Sequence, residues 1–357
     1  MHIAISAGQL SSRSFGIKTY LENLTAALLK EDPSDRFSIL KPRGPAGSSF
    51  YRNLWEQTAL PLMLAALRPD IFHCPDHILP LIPAGCKTVI TVHDLAFYRQ
   101  PKAYSLRKKV FKLAMTPFSI RHADKIIAVS ANTKKDIMEY FGCDPAKIEV
   151  IHNGVGREFK KIHDEKALKS VKEKYGLSRP FILFVGTIEP RKNILRLIEA
   201  FHLMAGRKSI EHDLVIVGKR GWLYQDVFDA AREKGKGRIM ILENVTDEEL
   251  PLVYNSADVF ANPSLYEGFG IPPLEAMACG VPVITSNTSS LPEVVGEAAI
   301  KVNPYNTGNI ADAITQVLTD GRLRHHMIEA GLERAKLFTW EEAAKNTIAL
   351  YERTVRR

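Results

Sequence analysis

"DVFANPSLYEGFGIPPLEAMACGVPVITS", residues 258–286, passes from one apolar segment through a glycine-bearing loop and a short helical pattern into a second apolar segment. "DVFANPS" (258–264) and "VPVITS" (281–286) read as strands. Between them, Gly268 and Gly270 open backbone angles closed to other residues and let a ligand come close to the main chain. Pro272 and Pro273 suit the start of a helix, where a missing N–H loses nothing. That helix, over roughly 273–279, is expected to stop at Gly280, a residue type enriched just past helix ends. A strand, a crossing helix and a second strand make the unit of a parallel sheet. A glycine loop feeding a helix N-terminus is also an anion site, because unpaired N–H groups and the helix dipole point at it.

The same alternation extends in both directions. Candidate strands are "HIAIS" (2–6), "FSIL" (37–40), "IFHC" (71–74), "TVITVHD" (88–94), "KIIAVS" (125–130) and "EVIHN" (149–153). A second series adds "FILFVGT" (181–187), "DLVIVG" (213–218), "IMILEN" (239–244) and "AIKVN" (299–303) to the opening pair. Their near-continuous apolar character fits strands covered by helices on both faces. Ile17, Tyr20, Leu21, Leu24 and Leu28 repeat at helical spacing, as do Ile194, Leu197, Ile198 and Phe201. The fold class is therefore α/β: two Rossmann-like, doubly wound domains, with the charged run 157–176 between the two series. The expected division is 1–160, joined by a C-terminal helix over 340–357 that crosses back, and 161–339. Ligands of such sheets sit outside the carboxyl ends of the strands, so a cleft between two facing domains is the natural site.

Bulk properties narrow the function. The chain has 357 residues, 45% hydrophobic and 25% charged, as a globular protein with a sizeable core does. The longest apolar run, "ALPLMLAAL" (59–67), is too short to span a bilayer, and the N-terminus lacks a signal pattern, so a cytoplasmic location is expected. Cys74, Cys86, Cys143 and Cys279 form no CxxC pair. A net charge of +8 favours a polyanionic partner. Nucleic acid is set aside, because no zinc finger, RNP motif or basic zipper is present.

Glu267 and Glu275 flank the anion loop. A carboxylate beside bound phosphate is repelled, so both should reach past it to hydroxyl groups, and a nucleotide sugar carries hydroxyls on each side of its pyrophosphate. The stretch resembles the E-x7-E signature of the retaining GT-B glycosyltransferases of family 4. "SFGIKTYLENL" (14–24), "TVHDLAF" (91–97), "VSANT" (129–133) and "IHNGV" (151–155) resemble landmarks of that family's first domain. "FVGTIEPRKNILRLIEAF" (184–201), "VIVGKRGWLY" (215–224) and "LPEVVGEAA" (291–299) resemble its second. Ser14-Phe15-Gly16 departs from the usual glycine pair, and Lys18 and Thr19 stand where relatives often carry a small residue and arginine.

The resemblance implies roles. Glu275 would accept hydrogen bonds from the donor's ribose, and Glu267 would hold hydroxyls of the transferred sugar. The backbone of Phe269, Gly270 and Ile271 would bind pyrophosphate. Arg191 and Lys192 would neutralise the departing diphosphate, and His93 would lie beside the donor sugar. Gly16 would allow close approach of phosphate and acceptor, and Gly186 and Val245 complete the substrate-binding set. Catalysis without a metal is expected, since no DxD motif is present and the cations and helix dipole stand in its place. "HCPDH" (73–77) gathers potential metal ligands, but no second cluster accompanies it, and strand-end and loop roles account for it. "TVHDLAF" and "VGKRGWLY" are most similar to bacterial mannosyl- and rhamnosyltransferases of surface-polysaccharide assembly, which implies GDP-mannose as donor and a glycan or lipid-linked glycan as acceptor. A UDP-hexose donor and a catalytically silent nucleotide-sugar-binding protein are the alternatives. A glycosidase using the two carboxylates fits less well, because an anion site lies between them. A dinucleotide oxidoreductase would require G-x-G-x-x-G after an early strand, and none is present. Finally, no acidic residue occurs from Leu95 to Ala123, while Arg99, Lys102, Arg107, Lys108, Lys109, Lys112 and Arg121 are basic. This basic, apolar-interleaved stretch over 99–121 is expected to lie on an anionic membrane surface.

Overall fold

The computed structural model describes residues 1–357 except 12–14, 33, 43–48, 84, 100–105, 208–210, 233–237 and 357, and the backbone alone at 11, 15, 49 and 106–111. The chain divides into two units, Met1–Gly154 with Phe338–Arg357, and Val155–Leu337.

Among the described residues the first unit carries six parallel strands: β1 (His2–Ser6), β2 (Arg36–Leu40), β3 (Ile71–Cys74), β4 (Lys87–Val92), β5 (Lys125–Ala128) and β6 (Ile148–Val150). Their spatial order is β2-β1-β3-β4-β5-β6. Side chains alternate between faces, so Ile3, Ile5 and Ile71 join one core and Ala4 and Phe72 join the other. The first core takes Tyr20, Leu21, Leu24 and Leu28 from the helix Phe15–Glu31, with Trp340, Leu350 and Tyr351 from the helix Trp340–Val355. Each such aliphatic side chain contributes on the order of 1.5–3 kcal/mol when fully buried. Covered on both faces, the strands need no polar alternation, which is why they read as apolar runs.

The second unit repeats the scheme with β7 (Phe181–Val185), β8 (Asp213–Val217), β9 (Ile239–Leu242), β10 (Val259–Asn262), β11 (Val283–Ser286) and β12 (Ala299–Val302). Here the order is β12-β11-β10-β7-β8-β9, again parallel. In each sheet the order of winding reverses beside the first strand, between β1 and β3 and between β7 and β10. Those two places are the topological switch points, where loops diverge and leave a crevice. All twelve expected strands form, most ending a residue or more early, which leaves the chemistry-bearing residues in the loops beyond them.

Two expectations shift. The charged run is not a bare connector: Glu165–Tyr175 is a helix capped by Asp164, and it packs within the second unit through Val171. The helix after the glycine loop spans Ile271–Ala278, starting two residues before the expected 273, so its prolines occupy the second and third positions and Glu275 falls in its second turn. Among the described residues no helix is long and apolar enough to cross a membrane.

The basic stretch is helical over Leu106–His122. Lys102 and the side chains of Arg107, Lys108 and Lys109 lie outside the described residues. Arg99 is held by Asp136 (2.6 Å) and Glu139 (2.7 Å), and Lys112 lies over the Phe97 ring, 5.2 Å from its centroid. Both of these cations are therefore tied into the first unit.

Candidate active site

The switch point of the second sheet gathers residues far apart in sequence. Beyond β7 the chain turns through a 3-10 segment, Pro190–Lys192, and Asn193 in the left-handed region before the helix Ile194–Gly206. Beyond β10 come Ser264 and Glu267. The Asn193 amide donates to the carbonyls of Pro263 (2.9 Å) and Pro304 (2.7 Å), and the Leu265 N–H donates to the Arg191 carbonyl (2.9 Å). These bonds fix one loop against the other.

Between the loops, Lys192 Nζ lies 2.6 Å from Glu267 Oε1, and Arg191 Nη1 lies 2.9 Å from Glu267 Oε2. Ser264 Oγ also donates to Oε1 (2.8 Å). Glu267 is 6% exposed. Burial works to raise its pKa, but Lys192 and Arg191 outweigh it and hold the carboxyl at about 2. The Glu267 backbone is pinned as well: its N–H donates to Ser289 Oγ (2.8 Å), and Ser290 Oγ donates to its carbonyl (2.9 Å). A buried carboxylate of fixed charge and position results.

Glu275 is different. It is 4% exposed and accepts one hydrogen bond from the Tyr254 hydroxyl (2.8 Å). Burial raises its pKa to about 7, against the pull of that bond. At the N-terminus of its helix, Gly270 has φ +113°, and a Cβ there would approach Leu291 Cδ2 to 2.7 Å. Pro272 and Pro273 carry no N–H, so the backbone donors of this terminus come from Ile271 and the loop before it. Phe269 is buried and its carbonyl (2.7 Å) shares the single Ser290 hydroxyl proton with the Glu267 carbonyl. Gly186, just past β7, donates its N–H to Val217, and its carbonyl leaves no room for a Cβ on Gly218 (1.9 Å). Val245 is half-buried in the loop after β9.

The remaining expected residues lie in the first unit. His93 follows β4 and is hydrogen-bonded through Nε2 to the Pro75 carbonyl (3.0 Å). A carbonyl only accepts, so Nε2 carries the proton and neutral His93 keeps Nδ1 as an acceptor. Burial lowers its pKa, which favours that neutral form. Its ring meets Tyr20 edge-on at 4.6 Å. Asp94 accepts from the Ala96 N–H (3.0 Å), a loop-supporting role. Gly16 is exposed in the first turn of its helix, and a Cβ there would meet nothing within 4 Å. Within "HCPDH", His73 is bound to Thr91 (2.9 Å) and Tyr351 (2.5 Å), Cys74 to the Ile78 carbonyl (3.2 Å) and Asp76 to Gln9 (2.5 Å), and His77 Nδ1 lies 2.9 Å from Asp76 Oδ1. No cluster able to hold a metal ion occurs among the described residues.

Residues 165–334 match the family described as Glycosyl transferases group 1, and residues 17–159 match Glycosyltransferase Family 4. O-antigen chain mannosyltransferase B of Escherichia coli is 35% identical over 285 residues, covering 79% of this chain and 74% of that protein. The chain belongs to the GT-B glycosyltransferases. As such it is an enzyme, a hexosyltransferase. Serotype-specific mannosyltransferase WbdA of Escherichia coli is 31% identical over 83% of this glycosyltransferase, which spans 38% of that longer relative. Sucrose-phosphate synthase of Thermosynechococcus elongatus, at 20% identity, shares the fold, with a TM-score of 0.82 over 99% of this chain and 98% of its own.

Several residues of the glycosyltransferase's candidate site escaped the sequence. Ser264, Ser289 and Ser290 hold Glu267, Tyr254 holds Glu275, and Glu189 is bound to Arg191. The hydroxyl-rich run "SNTSS" (286–290) was the available signal for the serines. Nothing local marks Tyr254, which reaches Glu275 from a separate short helix, Leu250–Asn255.

Proposed function

We propose that this glycosyltransferase moves mannose from GDP-mannose to a glycan acceptor with retention of anomeric configuration and without a divalent cation. The observation that carries the reading is the buried Lys192–Glu267 pair at the β7/β10 switch point, beside the N-terminus of the helix Ile271–Ala278. In the reaction an acceptor hydroxyl forms the new bond to the anomeric carbon, the bond from that carbon to the diphosphate oxygen breaks, and the hydroxyl proton is released. Charge therefore grows on the leaving diphosphate, where a charge-assisted bond from Lys192 stabilises the transition state more than the ground state. Lys192 has three N–H donors and Glu267 engages one, so two serve phosphate oxygens. Glu267, always ionised at neutral pH, accepts from hydroxyls of the transferred sugar, and Glu275 accepts from the ribose. Phe269, Gly270 and Ile271 present backbone to the pyrophosphate, with Gly186 and Val245 bordering the nucleotide. His93 offers Nδ1 or its carbonyl to the sugar, and Gly16 admits the acceptor. Mannose rests on the similarity to the O-antigen mannosyltransferase.

A thermal-shift screen of nucleotide sugars tests the donor: GDP-mannose should raise Tm, and a rise with UDP-hexoses alone would replace the donor assignment. Glu267→Gln should keep GDP binding and reduce transfer by roughly tenfold or more, the loss of one charged hydrogen bond. Wild-type turnover in that variant would sink the assignment. Activity should persist in EDTA, and proton NMR of the product should show the donor's anomeric configuration. The acceptor is proposed to be carried on lipid, with the cations of 107–109 meeting anionic headgroups. Charge reversal at Lys108 and Lys109 should abolish sedimentation with anionic liposomes at low salt and spare transfer to a soluble acceptor. Lys112 is left intact in that test because it covers Phe97.

A further inference from the structure

Arg191 was expected to neutralise the diphosphate alongside Lys192. Its contacts point elsewhere. Nε and Nη2 both face Glu189 Oε1, at 3.0 and 2.8 Å. Nη1 donates to the Tyr266 carbonyl (2.7 Å) and to Glu267 Oε2 (2.9 Å). The carbonyl of the same residue accepts from Leu265 N–H (2.9 Å). Arg191 thus joins the β7 loop to the β10 loop through both its main chain and its side chain. A guanidinium holds its donors in a rigid plane, so these contacts fix its orientation, whereas an ammonium turns freely on its stem. Glu189 is 4% exposed and sits two residues from the group it balances. Burial raises the Glu189 pKa and Arg191 is the strongest pull against that rise, so removing the guanidinium takes from a buried carboxyl its nearest cation.

We propose that Arg191 and Glu189 are a positioning pair that locks the Tyr266–Glu267 segment in place, and that Lys192, not Arg191, is the side-chain cation that meets the diphosphate. The proposal rests on the donor-site reading above and changes one of its roles. The guanidinium keeps Glu267 Oε2 occupied, which leaves the carboxylate a single rotamer and aims Oε1 at the space shared with Lys192. Removing Arg191 frees that rotamer and takes from buried Glu189 its hydrogen-bonded cation. Misplacement of a positioned group by ~1 Å lowers turnover by as much as ~100-fold without touching the nucleotide.

The test compares GDP affinity by calorimetry with steady-state kinetics in Arg191→Ala, Arg191→Lys, Glu189→Ala, Glu189→Gln and Lys192→Ala. Expected is GDP affinity within about threefold of wild type in the Arg191 and Glu189 variants, against a loss of roughly tenfold or more in Lys192→Ala. Turnover should fall by about tenfold or more in Arg191→Ala, and equally in Arg191→Lys, which keeps the charge but loses the fork. Glu189→Gln, whose amide oxygen still accepts from Nε, should recover most of what Glu189→Ala loses. The acid limb of the rate profile should move to higher pH in Arg191→Ala, because Glu267 loses one of its two cations. Loss of GDP affinity in Arg191→Ala as large as in Lys192→Ala would overturn the proposal while leaving the donor site intact, as would wild-type turnover in Arg191→Lys. Unchanged affinity for both GDP and UDP in Lys192→Ala would instead overturn the donor-site reading.

Discussion

Glu56 shows how a single carboxyl sets a pH dependence. Burial, and then the charge of Asp76, raise its pKa to about 8, while Arg52 pulls it down. The folded state therefore keeps a proton that the unfolded chain gives up near the ordinary carboxylate value. The contribution is fully present below about pH 4.5 and is lost as the pH rises to about 8. Glu56→Gln cannot ionise, so its Tm should match wild type near pH 4.5 and exceed it by roughly 3 °C or more near pH 8. An equal difference at both pH values would show that packing, not titration, is responsible. Glu275, raised to about 7, has the same sign for stability. On the proposed ribose contact, donor binding draws on the ionised form of Glu275, so GDP affinity should rise from about pH 6 to about pH 8 in wild type, and calorimetry should find no such rise in Glu275→Gln. Glu267 runs the other way: held at about 2, its contribution is present above the unfolded value and is lost as the pH falls from about 4.5 towards 2.

Between elements, the glycines separate close approach from open space. A Cβ on Gly218 would lie 1.9 Å from the Gly186 carbonyl oxygen, backbone against backbone, where neither β7 nor β8 can yield. Gly218→Ala should destabilise the second unit by on the order of 2–4 kcal/mol, read as a lower denaturation midpoint. Gly16→Ala is its counterpart. It adds a methyl group to an exposed first turn where nothing lies within 4 Å, so Tm should stay within about 1–2 °C of wild type. Any fall in transfer by that variant then reports ligand contact at Gly16 rather than damage to the fold. An unchanged KM for both donor and acceptor would remove Gly16 from the site.

Across the whole molecule, the chain leaves the first unit at Gly154 and returns to it at Phe338. A Cβ on Gly154 would sit 2.2 Å from the Trp340 N–H nitrogen, so the exit and the return are packed together. Tyr351 then reaches His73, whose other nitrogen binds Thr91, which in turn binds Tyr20. Burial lowers the His73 pKa to about 3, with His93 adding to the effect, so the network is neutral and each bond in it lacks competing water. Tyr351→Phe should cost about 1–3 kcal/mol by leaving a buried ring nitrogen unsatisfied. Truncation after Leu337 strips Trp340, Leu350 and Tyr351 from the first core. Calorimetry should then show the first unit's transition lost or strongly lowered while that of Val155–Leu337 persists; two unchanged transitions would mean the helix is dispensable.

The sequence by itself determined the elements. β-branched runs, helical spacing and the proline and glycine punctuation around Ile271–Ala278 are short-range signals, and strands covered on both faces state their burial in composition alone. It also pointed to Glu267, Glu275 and Lys192 through an ordered set of motifs. What only the tertiary structure decided is which side chains meet. Lys192 and Glu267 stand 75 positions apart, and Tyr351 and His73 278 apart, so no period or propensity connects them. Strand order brings β7 beside β10, and that adjacency assembles the ion cluster and gives Arg191 partners within the fold. The same adjacency drives Glu267 to about 2, while burial beside a lone tyrosine raises Glu275 to about 7. Two glutamates eight residues apart thus acquire opposite chemistry, because the field at a carboxyl is set by what packs against it and not by its neighbours along the chain.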